Sequence, residues 1–142
     1  MGRVVLVTGV AGTFAARVSR TLAELGEAAG IDRVVGIDTR PPDGDLGGVK
    51  FVRADIRTPV VGKVMAVEDV DAVVHIDVNP SEMARAGSGV KERNVIGTMQ
   101  LLAACQRSSQ VSKLVLGSST ALYGPHFDNP NFLSESHPLR GL

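Results

Sequence analysis

Apolar residues follow two rhythms along this chain. Short, nearly continuous runs rich in β-branched residues occupy residues 3–8, 33–38, 49–54, 71–77 and 113–117. Runs of this length and composition predict strands. The unbroken apolar middle of 71–77 fits a parallel strand covered on both faces. Between these runs, apolar positions recur every three or four residues. Phe14, Val18, Leu22 and Leu25 share one face of a predicted first helix. A weaker helical stretch covers 60–68. The longest covers 89–108, where Val95, Met99 and Leu102 form one stripe with Ile96 and Ala103 beside it. Pro41-Pro42-Asp43-Gly44-Asp45 is a loop on turn chemistry alone, and the tail beyond Thr120, rich in Pro, Asn and Ser, has no clear period. Strands alternating with helices predict an α/β doubly wound parallel sheet (a Rossmann-type sheet) of at least five strands, in one domain spanning 1–142.

The connection from the first strand to the first helix carries the most chemistry. It reads Thr8-Gly9-Val10-Ala11-Gly12-Thr13-Phe14-Ala15. Gly9 suits a turn conformation that side chains disfavour, and Gly12 lets the backbone approach a pyrophosphate. The N–H groups opening the helix attract that anion. Ala15 stands where a third glycine would govern helix–strand packing, an accepted replacement. No Gly-Lys-Ser/Thr follows at P-loop spacing, so the site expected is for a dinucleotide. Asp38 closes the second strand about twenty residues further on, where such folds place the acid that binds the adenine ribose. An acid there favours NAD, and Arg40 keeps NADP open, since arginine can accept the additional phosphate. Gly9, Asp38, Asp55, His75, Asp77 and Ser119 all fall at the carboxyl ends of predicted strands, the edge where such sheets bind ligands.

Composition excludes more than it adds. Fifteen basic residues balance fifteen acidic ones, so nothing points to nucleic acid or an anionic membrane. No apolar run approaches a membrane span, and the N-terminal run is already used as a strand rather than a signal peptide. The lone Cys105 lies in a helical apolar pattern and reads as a small core residue, which fits the reducing cytoplasm. One cysteine and three scattered histidines make no metal site.

Taken together, these blocks resemble an extended short-chain dehydrogenase/reductase of the NAD-dependent sugar-nucleotide epimerase/dehydratase type. The resemblance rests on Thr8-Gly9-x-x-Gly12-x-x-Ala15, Asp38, Ala54-Asp55-Ile56-Arg57 and Val73-Val74-His75-Ile76. It continues through Asn94-Val95-Ile96-Gly97-Thr98 and Gly117-Ser118-Ser119-Thr120-Ala121-Leu122-Tyr123-Gly124. It implies that Gly9, Gly12, Thr13 and Phe14 line the pyrophosphate. Asp38, with Thr39 and Arg40 after it, would meet the adenine ribose, and Asp55 with Ile56 would flank the adenine. Ile76, Asp77 and Val78 would run along the cofactor near its phosphates and second ribose. Asn94 would pin the central helix near the active site, with Gly117 and Ser118 on the cofactor side. Ser119 would be the active-site hydroxyl, bonded to the sugar oxygen that loses or gains a proton. His75 matches the family's strand histidine and reads as structural, and Tyr123 as a packing residue.

Two departures shape the functional expectation. The family's base is a tyrosine followed four residues later by lysine. Here the one tyrosine, Tyr123, is followed by Phe127, and the last lysine is Lys113. Ser134-Glu135-x-x-Pro138 resembles the segment before the helix that carries that pair. The chain therefore looks like the N-terminal piece of a longer enzyme, without the last strands and the sugar-binding part, and by itself should not turn over. Asp77 stands where the family usually has a small apolar residue, and a carboxylate beside phosphates repels them unless paired or turned away; Arg85 is a candidate partner. The leading expectation is the cofactor-binding part of an NAD-dependent sugar-nucleotide epimerase or dehydratase. It would act on a nucleotide sugar in the full enzyme and could pair as a homodimer through the central helix. The alternatives are a non-catalytic NAD(P)-binding sensor or interaction module, and a degenerate family member without bound cofactor.

Overall fold

The computed structural model describes residues 2–76 and 88–141, with 88–93 described as backbone only. Five strands form one parallel sheet: β1 (Arg3–Thr8), β2 (Ile31–Asp38), β3 (Val49–Arg53), β4 (Ala72–His75) and β5 (Lys113–Leu116). Their order is β3-β2-β1-β4-β5, so the winding reverses direction between β1 and β4. The pairing Val5↔Val34, Leu6↔Val35 and Leu6↔Val73 sets the register of the three central strands. Helices α1 (Thr13–Leu25), α2 (Val60–Val67) and α3 (Ser88–Arg107) fill the connections.

Alternation along the strands explains why helices lie on both faces. Leu6, Val35 and Val73 point to one side and are buried with Met65 of α2 and Leu101 of α3. Val5, Val7 and Val34 point to the other and are buried with Ala15 of α1. Each strand therefore needs two apolar covers, as its unbroken apolar sequence predicts.

Two helical stripes sit differently from expectation. On α1 the buried positions are Ala15 and Ser19, whereas Phe14 is 67% exposed and Leu25 also faces solvent. Small residues let the helix backbone lie close to the sheet, and the buried Ser19 hydroxyl is satisfied by donating to the Ala16 carbonyl at 2.9 Å. On α3, Gly97, Leu101 and Ala104 turn inward, and the Val95–Met99–Leu102 stripe turns outward, with Met99 64% exposed. A Cβ on Gly97 would stand 2.7 Å from Ile56 Cδ1, so α3 can pack this closely on the loop after β3 because the residue is glycine. Cys105 is half-buried against the core, and burial pushes its thiol pKa up, as a small core residue should behave.

Opposite the carboxyl edge, charge holds the sheet's base. Glu68, the buried residue that ends α2, receives Lys50 Nζ at 2.8 and 3.0 Å, and Arg33 donates to its backbone carbonyl at 2.7 Å. Among the described residues no helix is long and apolar enough to cross a membrane.

β5 is an edge strand, with Val115 48% and Leu116 49% exposed, and the Val95–Met99–Leu102 stripe of α3 adds further exposed apolar surface. An unpaired edge flanked by apolar surface invites association. The chain is therefore expected to form dimers or larger species as concentration rises in sedimentation velocity. A monodisperse monomer at the highest concentrations would contradict this.

Candidate functional site

The carboxyl edge at the β1/β4 reversal is built around the turn after β1. Gly9 has φ 75°, a left-handed value that glycine adopts without strain, and its N–H donates to the Ile37 carbonyl at 2.8 Å. The Gly12 N–H returns to the Gly9 carbonyl at 2.9 Å, closing a tight loop that delivers the chain into α1. Gly12 is the N-cap of α1, and no side chain caps the helix. The positive end of the helix thus points out of the loop with no side-chain acceptor on it. A Cβ on Gly12 would lie 3.2 Å from the Gly9 carbonyl oxygen, so the loop's inner surface is bare backbone because the residue is glycine.

Asp38, the last residue of β2, is joined to this loop. Its Oδ2 accepts the Ala11 N–H at 3.0 Å, and its Oδ1 accepts the Arg40 N–H at 3.2 Å. The Arg40 side chain is exposed, and Thr39 is held through its carbonyl by Arg53 Nε at 2.8 Å. The Asp38 carbonyl accepts the Ala54 N–H at 3.0 Å, which brings the 54–57 block alongside. There the Asp55 carboxylate is held by the Arg57 guanidinium at 2.6 Å, leaving Ile56 to pack beneath Gly97 of α3.

The other side of the reversal holds a buried chain of three side chains. Thr8 Oγ1 lies 2.7 Å from His75 Nδ1, and His75 Nε2 lies 2.9 Å from Thr98 Oγ1 of α3. His75 is 1% exposed, and burial pushes its pKa down, so the imidazole is neutral near pH 7. One turn before Thr98 on the same side of α3, Asn94 Nδ2 is buried with no hydrogen-bond partner among the described residues.

Next along the edge, the Gly117 N–H donates to the His75 carbonyl at 2.7 Å, and a Cβ on Gly117 would lie 3.0 Å from Ile76 Cγ2. Ser119 follows, half-buried, its Oγ accepting the Ala121 N–H at 3.2 Å to cap a short 3-10 turn over Thr120–Tyr123. Ser118 is exposed. The tail beyond this turn has order without periodicity: Asn129 donates to the Gly124 carbonyl, and Arg140 pairs with Asp128 at 3.0 Å.

The structure thus joins Gly9, Gly12 and Asp38 through the loop, and Ile76 with Gly117 through packing. Asp77, Val78 and the candidate partner Arg85 lie outside the described residues. Sequence reasoning missed Ala11, whose N–H ties the loop to Asp38, and the pair Thr8 and Thr98 around His75. The Thr-Gly end of β1 and the Gly97-Thr98 pair were the only signals. Among the described residues no group of three or more His, Cys, Asp or Glu is placed to hold a metal ion.

Comparison with known proteins places this geometry among relatives. A family model described as the NAD dependent epimerase/dehydratase family matches residues 5–140. An uncharacterized protein of Mycobacterium tuberculosis strain H37Rv is 37% identical over 143 residues, covering 97% of this chain and 37% of its own length. Among solved structures, MoeE5 in complex with UDP-glucuronic acid and NAD is 29% identical, with a TM-score of 0.72 over 97% of this chain and 43% of that one. The dTDP-glucose 4,6-dehydratase of Bacillus anthracis strain Ames, in complex with NAD, shares the fold at 22% identity and a TM-score of 0.76, over 99% of this chain and 45% of that one. The chain therefore spans well under half the length of these relatives.

Proposed function

This chain belongs to the NAD dependent epimerase/dehydratase family, and we propose that it is the NAD-holding part of an enzyme that acts on a nucleotide sugar. The observation that carries the reading is the Ala11 N–H to Asp38 Oδ2 contact at 3.0 Å, which brings the glycine turn and the strand-end carboxylate into one site. The bare backbone of Gly12 and the uncapped start of α1 fit a pyrophosphate, with Thr13 and Phe14 beside it. Asp38 would accept from the adenine ribose hydroxyls, which selects NAD over NADP by repelling an added phosphate. Ile56, with Asp55 held aside by Arg57, would flank the adenine. Ile76, Gly117 and Ser118 would line the way to the reacting end.

NAD, when bound, supplies the hydride acceptor for oxidation of a sugar hydroxyl. This chain's contribution at that end is Ser119, whose Oγ is oriented by the Ala121 N–H and whose own proton stays available to the substrate oxygen. The chain has no Tyr-x-x-x-Lys pair to move the proton, so alone it binds cofactor without turnover.

Calorimetric titration with NAD and NADP, on the wild type and on Asp38→Ala, tests the site. The expected result is tighter binding of NAD than NADP. Asp38→Ala should weaken NAD about 10- to 100-fold, the worth of hydrogen bonds to a charged group. Equal NAD affinity in the two proteins would remove Asp38 from the site.

A further inference from the structure

The Thr8–His75–Thr98 chain does more than fill the core. It spans the three elements that surround the β1/β4 reversal: the end of β1 just before Gly9, the end of β4, and α3. A dinucleotide fold binds its two nucleotide halves on opposite sides of such a reversal. Asp38 and the glycine loop serve the half on the β2 side. The other half falls to β4, β5 and α3. We propose that His75 is a positioning residue for the nicotinamide half of the cofactor, fixing the rotation and height of α3 against the floor of the crevice; this rests on the NAD-binding reading above.

The packing of α3 makes this geometry sensitive to one hydroxyl. Gly97 lies flush against Ile56, so the turn of α3 nearest the crevice has no side chain at that position, and the apolar seat of the helix lies further along at Leu101 and Ala104. Thr98, the adjacent residue, holds that turn through a 2.9 Å hydrogen bond to a buried ring nitrogen. A neutral imidazole has one N–H and one lone pair. The three groups therefore form a directed chain in which each hydroxyl has one fitting role. Asn94 lies one turn from Thr98 on the same side, its buried Nδ2 without a partner among the described residues. A helix rotated by loss of the Thr98 bond would carry that amide out of place while leaving Asp38 and the glycine loop untouched.

The test compares NAD with ADP, which reaches only the β2 side and the loop, on the full 142-residue chain. Thr98→Val keeps the shape and removes the hydroxyl. It should weaken NAD about tenfold and leave ADP affinity within about twofold, a size usual for residues that couple without touching ligand. Thr98→Ser, which restores the hydroxyl, should recover NAD affinity. If Thr98→Val does not give a folded spectrum, Thr98→Ala, which adds no bulk, carries the same comparison. Equal losses for NAD and ADP, or a lower melting temperature with NAD affinity intact, would overturn the inference. Wild-type chain that binds ADP but gains nothing from the nicotinamide half would overturn it while leaving the loop and Asp38 in place. Wild-type chain that binds neither would overturn the reading of the site and this inference with it.

Discussion

Gly12→Val is expected to weaken NAD binding about 100-fold or more, near 2.8 kcal/mol, while leaving the fold almost unchanged. The two effects separate because of where Gly12 sits. Its backbone, at φ −84° and ψ 143°, is extended and open to any residue, so valine carries no conformational penalty there. Its Cβ would meet only the Gly9 carbonyl, at 3.2 Å, which a small shift of the loop relieves. The added branched side chain, however, fills the bare surface at the start of α1 where the pyrophosphate would lie, and it screens the helix N–H groups. Calorimetry for binding and a thermal melt for stability check both halves. Unchanged affinity would mean that no phosphate sits at this loop.

Gly36→Val should do the reverse and damage the fold first. Gly36 is buried in the middle of β2, and a Cβ there would stand 2.8 and 3.0 Å from the two methyls of Val10 and 3.2 Å from Val49 Cγ1. Val10 belongs to the glycine turn and is fully buried, so it has no free volume to retreat into. Overpacking of this kind costs about 3 kcal/mol, which lowers the melting temperature of a domain this size by roughly 10 °C. Gly48→Ala is the control: its nearest neighbour, Ala23 Cβ, is 3.8 Å away, and the change should cost less than about 0.5 kcal/mol. A melting temperature for Gly36→Val equal to that of Gly48→Ala would show that the turn and strand are looser than their contacts imply. Because the strain falls on Val10, the surviving Gly36→Val protein should also bind NAD more weakly, unlike a defect at the distant Glu68 end of the sheet.

These two glycines mark the boundary of what could be read without coordinates. The place of Gly12 in the turn was legible because it is local: strand, turn and helix are contiguous in the chain. The central strands were legible for a similar reason, since a parallel strand covered on both faces must be apolar throughout, and the edge strand β5 kept an apolar run although Val115 and Leu116 are half exposed. Ile31–Asp38 begins two residues earlier than its apolar run because Ile31 pairs with Arg3 and is buried, while Asp32 faces solvent between it and the run. Gly36 was not legible, because its neighbours Val10 and Val49 come from distant parts of the chain. The helix faces failed for another physical reason. Periodicity reveals an apolar side but not what covers it: α1 meets the sheet with Ala15 and Ser19 and with Leu22 of the expected stripe, and α3 with Gly97, Leu101 and Ala104. Ala15 and Ser19, and Gly97 and Ala104, do what Phe14 and Met99 were expected to do. The 3-10 turn over Thr120–Tyr123 is too short to show any period.

The candidate site divides along the same line. Asp38 and Ser119 follow from their positions at strand ends. The bond from Ala11 to Asp38 does not, since it uses a backbone N–H that no residue type signals. Nor does the chain through Thr8, His75 and Thr98, which spans 67 residues on one side and 23 on the other. Asp55 was expected to flank the adenine together with Ile56, and its carboxylate is engaged by Arg57 two residues away. In the NAD-binding reading this hands the apolar contact to Ile56.

NAD is proposed to lie across the glycine turn with its ribose on Asp38. The most direct test is an NMR titration of the isotope-labelled chain with NAD, following each backbone amide. The amides of Gly9 to Ala15 and of Asp38 to Arg40 are expected to shift together and saturate at one concentration of NAD. A folded spectrum in which those amides stay still, or in which the shifts collect at the cleft between α2 and α3 around Lys63 and Arg107, would contradict it.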